Sequence, residues 1–145
     1  MASPTVRTSL DAPLPPYLPS DDASARETIE AIRRGLPAEA FDWLKKELHL
    51  TAAELAEVVH IAPRTVSRRK KEGRLQPDES DRVLRLVRLL QRATDVLGSL
   101  DDAREWMQEP NFALGDDTPL QFADTEPGAR RVERLLGQIE HGIIT

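Results

Sequence analysis

The densest group of residues able to do chemistry is a run of cations and hydroxyls in the middle of the chain. It consists of Arg64, Thr65, Ser67, Arg68, Arg69, Lys70, Lys71 and Arg74. Cationic side chains pair with phosphates, and hydrogen-bond donors early in a helix can read base edges. The first four residues are therefore predicted to face a DNA groove, and the last four to contact phosphates. The alternative is a solvated basic face on a structural helix.

The segment around this run has the spacing of a helix-turn-helix. Thr51 and Glu54 predict a capping box at the start of a short helix that ends near His60. Pro63 suits the first turn of a second helix, predicted to end at Gly73. Two short helices joined by a tight turn, the second one basic, indicate DNA binding.

Individual positions within the motif support this interpretation. Ala56 is small where the two helices should touch, and Ile61 and Val66 are predicted to point into the core. His60 occupies a turn position that requires a positive φ, which glycine usually supplies and histidine tolerates at some strain. Ala62 lacks the capping oxygen usual before a recognition helix, and the proline that follows it offsets this in part.

Residues with catalytic or metal-binding spacing are absent from the sequence. The chain has no cysteine, and its three histidines are His49, His60 and His141. None of them lies in a His-Glu-x-x-His spacing, and neither a nucleophile elbow nor a phosphate-binding glycine loop occurs. We therefore expect no enzyme activity, no metal and no cofactor.

The 145 residues, 39% of them apolar, are predicted to form an all-α protein. Five of the eleven prolines fall within residues 1–20, which predicts a disordered arm. Residues 21–97 are predicted to form a helix-turn-helix and dimerisation region, and residues 98–145 a small helical domain. A first helix is expected to be capped by Ser20 or Asp21 and to carry Ile29, Ile32 and Leu36 on its apolar face.

Later helices are each marked by local signals. Phe41, Leu44 and Leu48 share one face of a second helix, and Pro77 opens a long helix that ends near Leu97. The remaining predictions are a helix capped by Ser99, a helical turn from Pro119 and a final helix over residues 126–140. Trp106, Phe112 and Phe122 are expected in the core. No apolar stretch is long enough to span a membrane, no signal peptide is visible, and a cytoplasmic location is expected.

The long helix is the predicted dimer contact. Arg82, Arg85, Arg88 and Arg92 are expected on its solvated side. Val83, Leu86, Val87 and Leu90 form the opposite side, and Leu84 and Leu89 widen the apolar surface beyond what one small domain is expected to cover. A dimer would also match a palindromic DNA site.

Charge is distributed unevenly along the chain. The net charge is −5, yet residues 49–75 carry six positive and three negative charges, a balance of +3. Residues 98–145 carry four positive and ten negative charges, a balance of −6. The middle of the chain therefore suits an anionic polymer, and the C-terminal third suits a basic protein surface.

Several motifs, in order, resemble a known family. The C-terminal motifs are Trp106-Met107, Pro110-Asn111, Leu114–Leu120, Asp124–Ala129 and Val132–Gly142. They are similar to the toxin-binding domain of Xre/MbcA/ParS-type antitoxins. The basic segment from Arg64 to Leu75 likewise resembles that family's Xre-like helix-turn-helix. The resemblance covers about residues 30–145, and Asp117 departs from it where a basic residue is common.

The resemblance implies a type II antitoxin that binds and neutralises a RES-domain toxin. Such toxins attack cellular NAD or transfer ADP-ribose to a protein. The implied toxin-binding residues are Arg134, Gln138, His141, Gly142, Ile143, Ile144 and Thr145. The last five would block the toxin's active-site cleft, and their free carboxylate could face its phosphate-binding cations. Alternatively, Ile143 and Ile144 tuck back onto the last helix.

The resemblance also implies repression of the protein's own operon through operator DNA, as a homodimer within a larger complex. A standalone dimeric transcription regulator is the main alternative, with residues 98–145 serving dimerisation or ligand sensing. A phage-type repressor is a third possibility that the C-terminal match disfavours.

Overall fold

The computed structural model of the chain describes residues 14–20 and 23–142. Within these residues the all-α prediction is confirmed, with one isolated β-bridge between Pro37 and Arg74. The helices are α1 (Ala25–Arg34), α2 (Glu39–Leu48), α3 (Ala52–Val58), α4 (Pro63–Glu72), α5 (Pro77–Leu97), α6 (Leu100–Met107), α7 (Pro119–Phe122) and α8 (Glu126–Glu140), with a 3-10 turn at Phe112–Leu114.

The described residues form two compact units, one of residues 14–20 and 23–88 and one of residues 89–142. The first unit therefore ends inside α5, whereas the sequence predicted a boundary between residues 97 and 98. The sequence-based boundary was set at Gly98, where α5 ends. A helix end is a local property, and a compact unit is defined by contacts between distant residues.

The start of the first unit differs from the prediction. Ser24, rather than Ser20 or Asp21, caps α1, in a capping box with Glu27 whose two hydrogen bonds measure 3.1 and 2.8 Å. Residues 14–20 are not a disordered extension, because the Leu18 amide donates to the Pro15 carbonyl at 3.0 Å and Leu18 is 4% exposed. The rest of the predicted arm, residues 1–13, lies outside the described residues.

Two interhelical linkers in the first unit are bonded to each other. The Leu75 amide donates to the Leu36 carbonyl at 2.8 Å, and the Ala38 amide donates to the Gly73 carbonyl at 3.1 Å. The Leu36 amide itself donates to the buried Ser80 hydroxyl at 2.8 Å. These bonds satisfy buried backbone groups and fix the segment that follows the basic helix α4.

The apolar face of the long helix is covered by the chain itself. Leu84 is 1% exposed and Leu89 is 2% exposed. The prediction that this surface is left open for a dimer contact was therefore wrong, because tertiary packing covers more of the helix than its sequence reveals. The arginines of the opposite side are half-buried and engaged, for example Arg85 with Asp81 at 2.9 Å and Arg88 with the Thr28 hydroxyl at 2.8 Å.

In the second unit, α6, α7 and α8 each begin at a side-chain cap. The Ser99 hydroxyl caps α6 as predicted, and Thr118 forms a capping box with Gln121 at the start of α7. Thr125 caps α8, whose buried residues include Val132, Leu135 and Leu136. The helices predicted to begin at Ser99, Pro119 and about Glu126 are thus confirmed.

None of the helices within residues 14–20 and 23–142 combines the length and the apolar character that crossing a membrane requires.

Two glycines of α8 offer a matched test of its packing. A Cβ at Gly128 would lie 1.7 Å from the Phe122 carbonyl oxygen, whereas a Cβ at Gly137 would meet nothing within 4 Å. We expect Gly128→Ala to lower the free energy of unfolding by about 2 kcal/mol or more, because backbone must move. Gly137→Ala should raise it by about 0.5–1 kcal/mol. Urea denaturation measures both, and equal effects of the two variants would contradict this packing.

Candidate functional site

The helix-turn-helix consists of α3, a four-residue turn (residues 59–62) and α4. The predicted capping box of α3 is present, with Thr51 and Glu54 joined by hydrogen bonds of 3.1 and 2.8 Å. Ala56, Ile61 and Val66 are buried, as predicted. The two helices are therefore held together by the small apolar core that the motif requires.

The turn has the strained conformation expected from its sequence. His60 has a φ of 57°, in the left-handed region where glycine is usual. Arg82 supports the turn from α5: its Nε donates to the Val59 carbonyl at 2.6 Å, and its Nη2 to the His60 carbonyl at 3.4 Å. The arginine thus satisfies carbonyl groups left free at the end of α3.

The basic helix α4 begins as predicted, with no side-chain cap from Ala62 and with Pro63 in its first turn. Arg64, Arg68 and Lys71 are exposed and follow a four-then-three spacing, so they lie on one face of the helix. Ser67 is exposed as well, and Thr65 is half-buried. Of the four residues predicted to face the groove, three are therefore exposed and Thr65 is half-buried, and Lys71, predicted to contact phosphate, shares a face with Arg64 and Arg68.

Arg69 is placed differently from the other cations of the helix. Its Nε and Nη2 donate to the two carboxylate oxygens of Glu79 at 2.7 and 3.0 Å, and Nη1 donates to Glu72 at 3.2 Å. The Arg69 and Glu79 side chains are only 12% and 8% exposed. Arg69 therefore joins α4 to α5 and does not lie where a phosphate contact needs it.

The electrostatics of Glu79 reflect this pairing. Burial raises the pKa of Glu79, but hydrogen bonds from Arg69 and the Gln76 amide outweigh burial and leave the pKa below the ordinary value of 4.5. The hydrogen bond to Glu79 raises the pKa of Arg69. Burial lowers this pKa by less, and the negative charge of Glu79 adds to the increase. Both groups are therefore held in their charged forms.

Of the three other cations predicted to contact phosphates, Lys71 is exposed, and Lys70 and Arg74 are exposed but partly engaged. Lys70 pairs with Asp42 of α2 at 3.0 Å, and each side chain is more than 40% exposed. Arg74 donates from Nη1 to the Gly35 carbonyl at 2.5 Å. An exposed pair of this kind is weak, so Lys70 remains available to an anionic partner.

The second candidate surface is the end of α8. Arg134 and His141 are exposed and Gln138 is half-buried, at spacings that place all three on one helix face. The helix ends at Glu140, with His141 as its C-cap and Gly142 at a φ of 73°. Ile143, Ile144 and Thr145, the other residues predicted to bind the toxin, lie outside the described residues.

An ion pair fixes the last turn of α8. Arg92 of α5 donates to both carboxylate oxygens of Glu140, at 2.6 and 3.4 Å. The hydrogen bond from Arg92 lowers the pKa of Glu140 and, despite partial burial, raises the pKa of Arg92. The last turn of α8 is therefore tied to α5.

One exposed residue was missed by the sequence reasoning. Phe112, predicted to be core, is 92% exposed, whereas Trp106 and Phe122 are half-buried. The error arose because aromatic side chains usually bury, and the short segment between Pro110 and Gly115 gave no periodicity to indicate a direction. The position of Phe112 in a turn, rather than in a helix, was the sequence signal that could have indicated its exposure.

Family models match both parts of the chain. A model described as "Antitoxin Xre-like helix-turn-helix domain" matches residues 27–88, and one described as "Antitoxin Xre/MbcA/ParS C-terminal toxin-binding domain" matches residues 92–142. A relative named "Antitoxin Xre", from Photorhabdus laumondii, is 36% identical over 116 residues, which are 79% of this chain and 78% of the relative. The chain belongs to the Xre/MbcA/ParS antitoxin family. The predicted family membership is confirmed.

Two further similarities extend over most of this antitoxin. A protein from Sphingobium named "Prs ADP-ribosylating antitoxin" is 29% identical over 130 residues, 83% of this chain and 82% of that one. A chain in the crystal structure of the Mycobacterium tuberculosis MbcT-MbcA toxin-antitoxin complex shares the fold, with a TM-score of 0.53 and 24% identity. That match covers 74% of this chain and 96% of the other. The family consists of regulatory proteins rather than enzymes.

The pair between Arg69 and Glu79 predicts a pH dependence of stability. Because the folded-state pKa of Glu79 is lowered, its contribution is complete above the unfolded pKa and is lost as the pH falls through the folded-state value. Glu79→Gln should reduce the free energy of unfolding at pH 7 and flatten its decline below about pH 4.5. Urea titrations at a series of pH values measure this.

Glu72→Gln is the matched control for that prediction, because Glu72 pairs with the same arginine but is 48% exposed. Its effect should be small at every pH. Equal losses from the two variants would mean that the buried pair does not set the position of α4.

Proposed function

We propose that this protein is the antitoxin of a type II system, that residues 98–145 bind and occlude the active site of a RES-domain toxin, and that the helix-turn-helix represses the antitoxin's own operon. RES-domain toxins, as the family resemblance implies, consume NAD or transfer ADP-ribose. The main alternative is a standalone dimeric regulator that uses the same DNA-binding half.

The match of residues 92–142 to a toxin-binding domain carries the toxin half of the proposal. The relative named as an ADP-ribosylating antitoxin is consistent with a partner that handles ADP-ribose. The −6 balance of residues 98–145 suits a toxin surface that must hold the phosphates of a dinucleotide. The partner is therefore expected to present a basic cleft.

The placement of α8 supports occlusion by the chain's end. His141 and Gly142 are exposed at the point where α8 ends, and the last turn is tied to Arg92. We propose that the residues that follow Gly142 compete with the substrate for the toxin's active-site cleft.

The exposed cations of α4 support the DNA half. Arg64, Arg68 and Lys71 form one face of a helix whose opposite side is anchored by Val66 and Arg69. We infer that the exposed face enters the major groove, with Lys70 and Arg74 near phosphates. A homodimer remains part of the proposal and would match a palindromic operator, but its contact must lie elsewhere than on the covered apolar face of α5.

Replacing the two exposed arginines separates the activities. Arg64→Ala with Arg68→Ala should weaken operator binding at least about 30-fold, since each base contact contributes about 1–3 kcal/mol. Toxin neutralisation in a growth assay should be unchanged. Arg26→Ala with Arg33→Ala removes the same charge from exposed sites on α1 and serves as the control. Loss of both activities in the folded Arg64/Arg68 variant would refute the division of labour.

Deletion of Gly142–Thr145 tests occlusion. We expect the truncated antitoxin to lose protection against its toxin while it still binds operator DNA, because the blocking end is gone and the helix-turn-helix is intact. Growth under toxin induction and an electrophoretic mobility shift measure the two properties. A truncated protein that still inhibits fully would defeat the proposed occlusion.

Co-expression with the adjacent reading frame separates the antitoxin from the standalone regulator. A toxic neighbour that is silenced and co-purifies with this chain supports the proposal. A harmless neighbour that forms no complex would leave a DNA-binding regulator.

A further inference from the structure

Phe112 is an aromatic side chain displayed to solvent. It is 92% exposed, whereas Ile29, also a large exposed apolar residue, is 44% exposed. An exposed phenyl ring contributes almost nothing to the stability of the unit that carries it, because its apolar area stays in water. Aromatic residues displayed in this way are typical anchors of protein interfaces.

The turn that carries Phe112 is held rigidly. The Asn111 side chain accepts from the Ala113 amide at 3.0 Å, and the Asn111 amide donates to the Asp117 carbonyl at 3.0 Å. The Asp116 amide donates to the Asn111 carbonyl at 2.9 Å, and the Arg131 side chain of α8 donates to the Ala113 carbonyl at 3.3 Å. The backbone around Phe112 is therefore ordered before binding, which lowers the entropic cost of association.

A shallow cleft lies beside this turn within the same unit. Its lining includes Phe122, Pro127, Gly128 and Arg131, and Arg131 is the residue that bonds to the turn at Ala113. The surface thus combines one projecting ring with an adjoining recess. A projecting ring next to a recess is complementary in shape to a folded protein surface, and less so to an extended peptide or a flat membrane.

The charges around Phe112 restrict the partner. Residues 109–117 contain Glu109, Asp116 and Asp117 and no basic residue, and all three carboxylates are exposed. Two copies of this surface facing each other would bring like charges together, which disfavours a second copy as the occupant. A basic protein surface with an apolar pocket fits both features.

We propose that Phe112 is an anchor of the toxin interface, inserting into an apolar pocket of the toxin that lysine or arginine side chains border. This inference rests on the proposed function and extends it, because the contact lies on a turn distinct from the chain end that occludes the active site. The toxin is thus held at two places, by the blocking end and by Phe112. The carboxylates beside the ring accelerate encounter with the basic rim of the pocket.

The test measures binding of the toxin encoded by the adjacent frame, purified from the complex and immobilised. Phe112→Ala in the full chain should raise the Kd at least about 30-fold, the effect expected of an interface hot spot. Phe112→Leu, which keeps apolar bulk, should recover most of the affinity. Ile29→Ala is the control, an exposed apolar residue on α1, and should leave the Kd unchanged. Melting temperatures of all three variants should match the wild type.

The neighbouring carboxylates give a second readout. Asp116→Asn with Asp117→Asn should lower the association rate severalfold at low salt and have little effect at high salt, because steering by exposed charges is screened. Asparagine suits position 116, whose φ is 72°, so the turn is preserved.

The outcomes separate this inference from the proposed function. Failure of the wild-type chain to bind the neighbouring protein would overturn the proposed function and the Phe112 anchor together. Tight binding by both wild type and Phe112→Ala would overturn the anchor alone. A change of the free chain from dimer to monomer on Phe112→Ala, seen by light scattering, would assign the ring to a second copy and also overturn it.

Discussion

The ion pair between Arg69 and Glu79 is the constraint on which the helix-turn-helix depends. A helix rich in cations gains little from burial, and α4 buries only Val66 among its ten residues. Apolar packing through this one residue holds α4 in place, and its orientation needs a second constraint. A two-point hydrogen-bonded pair supplies it, because the planar guanidinium and the carboxylate fix both distance and angle. The exposed cations then face outward because Arg69 faces inward.

Hydrogen bonds at both ends of α4 reinforce this orientation. The linker after α4 is bonded to the linker before α2, and Arg82 of α5 supports the turn before α4. The strained φ of His60 persists because these neighbours determine the surrounding backbone. The basic helix α4 is thus held at both ends, which keeps its exposed cations in one defined orientation.

The second unit differs from the first in the charge and the aromatic residue that it exposes. Its helices α6, α7 and α8 each begin at a hydroxyl cap, and loops connect them. One of those loops displays Phe112 among carboxylates. An acidic surface with an aromatic projection repels nucleic acid and favours a basic protein. Positive and negative charges are therefore concentrated in different parts of the chain, which its overall balance of −5 conceals.

The sequence by itself determined the helices, most of their ends and the helix-turn-helix, because these depend on nearby residues. Capping boxes, Pro63, Gly73 and the positive φ at His60 are local, and the structure has them as predicted. The family resemblance was likewise carried by ordered motifs. Ser24 was overlooked as the α1 cap, although its capping box was also readable locally.

Only the tertiary structure decided which way individual side chains of a given type face. Arg68 and Arg69 are adjacent and chemically identical. Arg69 is held inside by its ion pair with Glu79, whereas Arg68 is exposed. Leu89 is buried and Phe112 is exposed because of contacts between residues distant in the chain. Periodicity describes one helix at a time, so it cannot show what the rest of the fold covers.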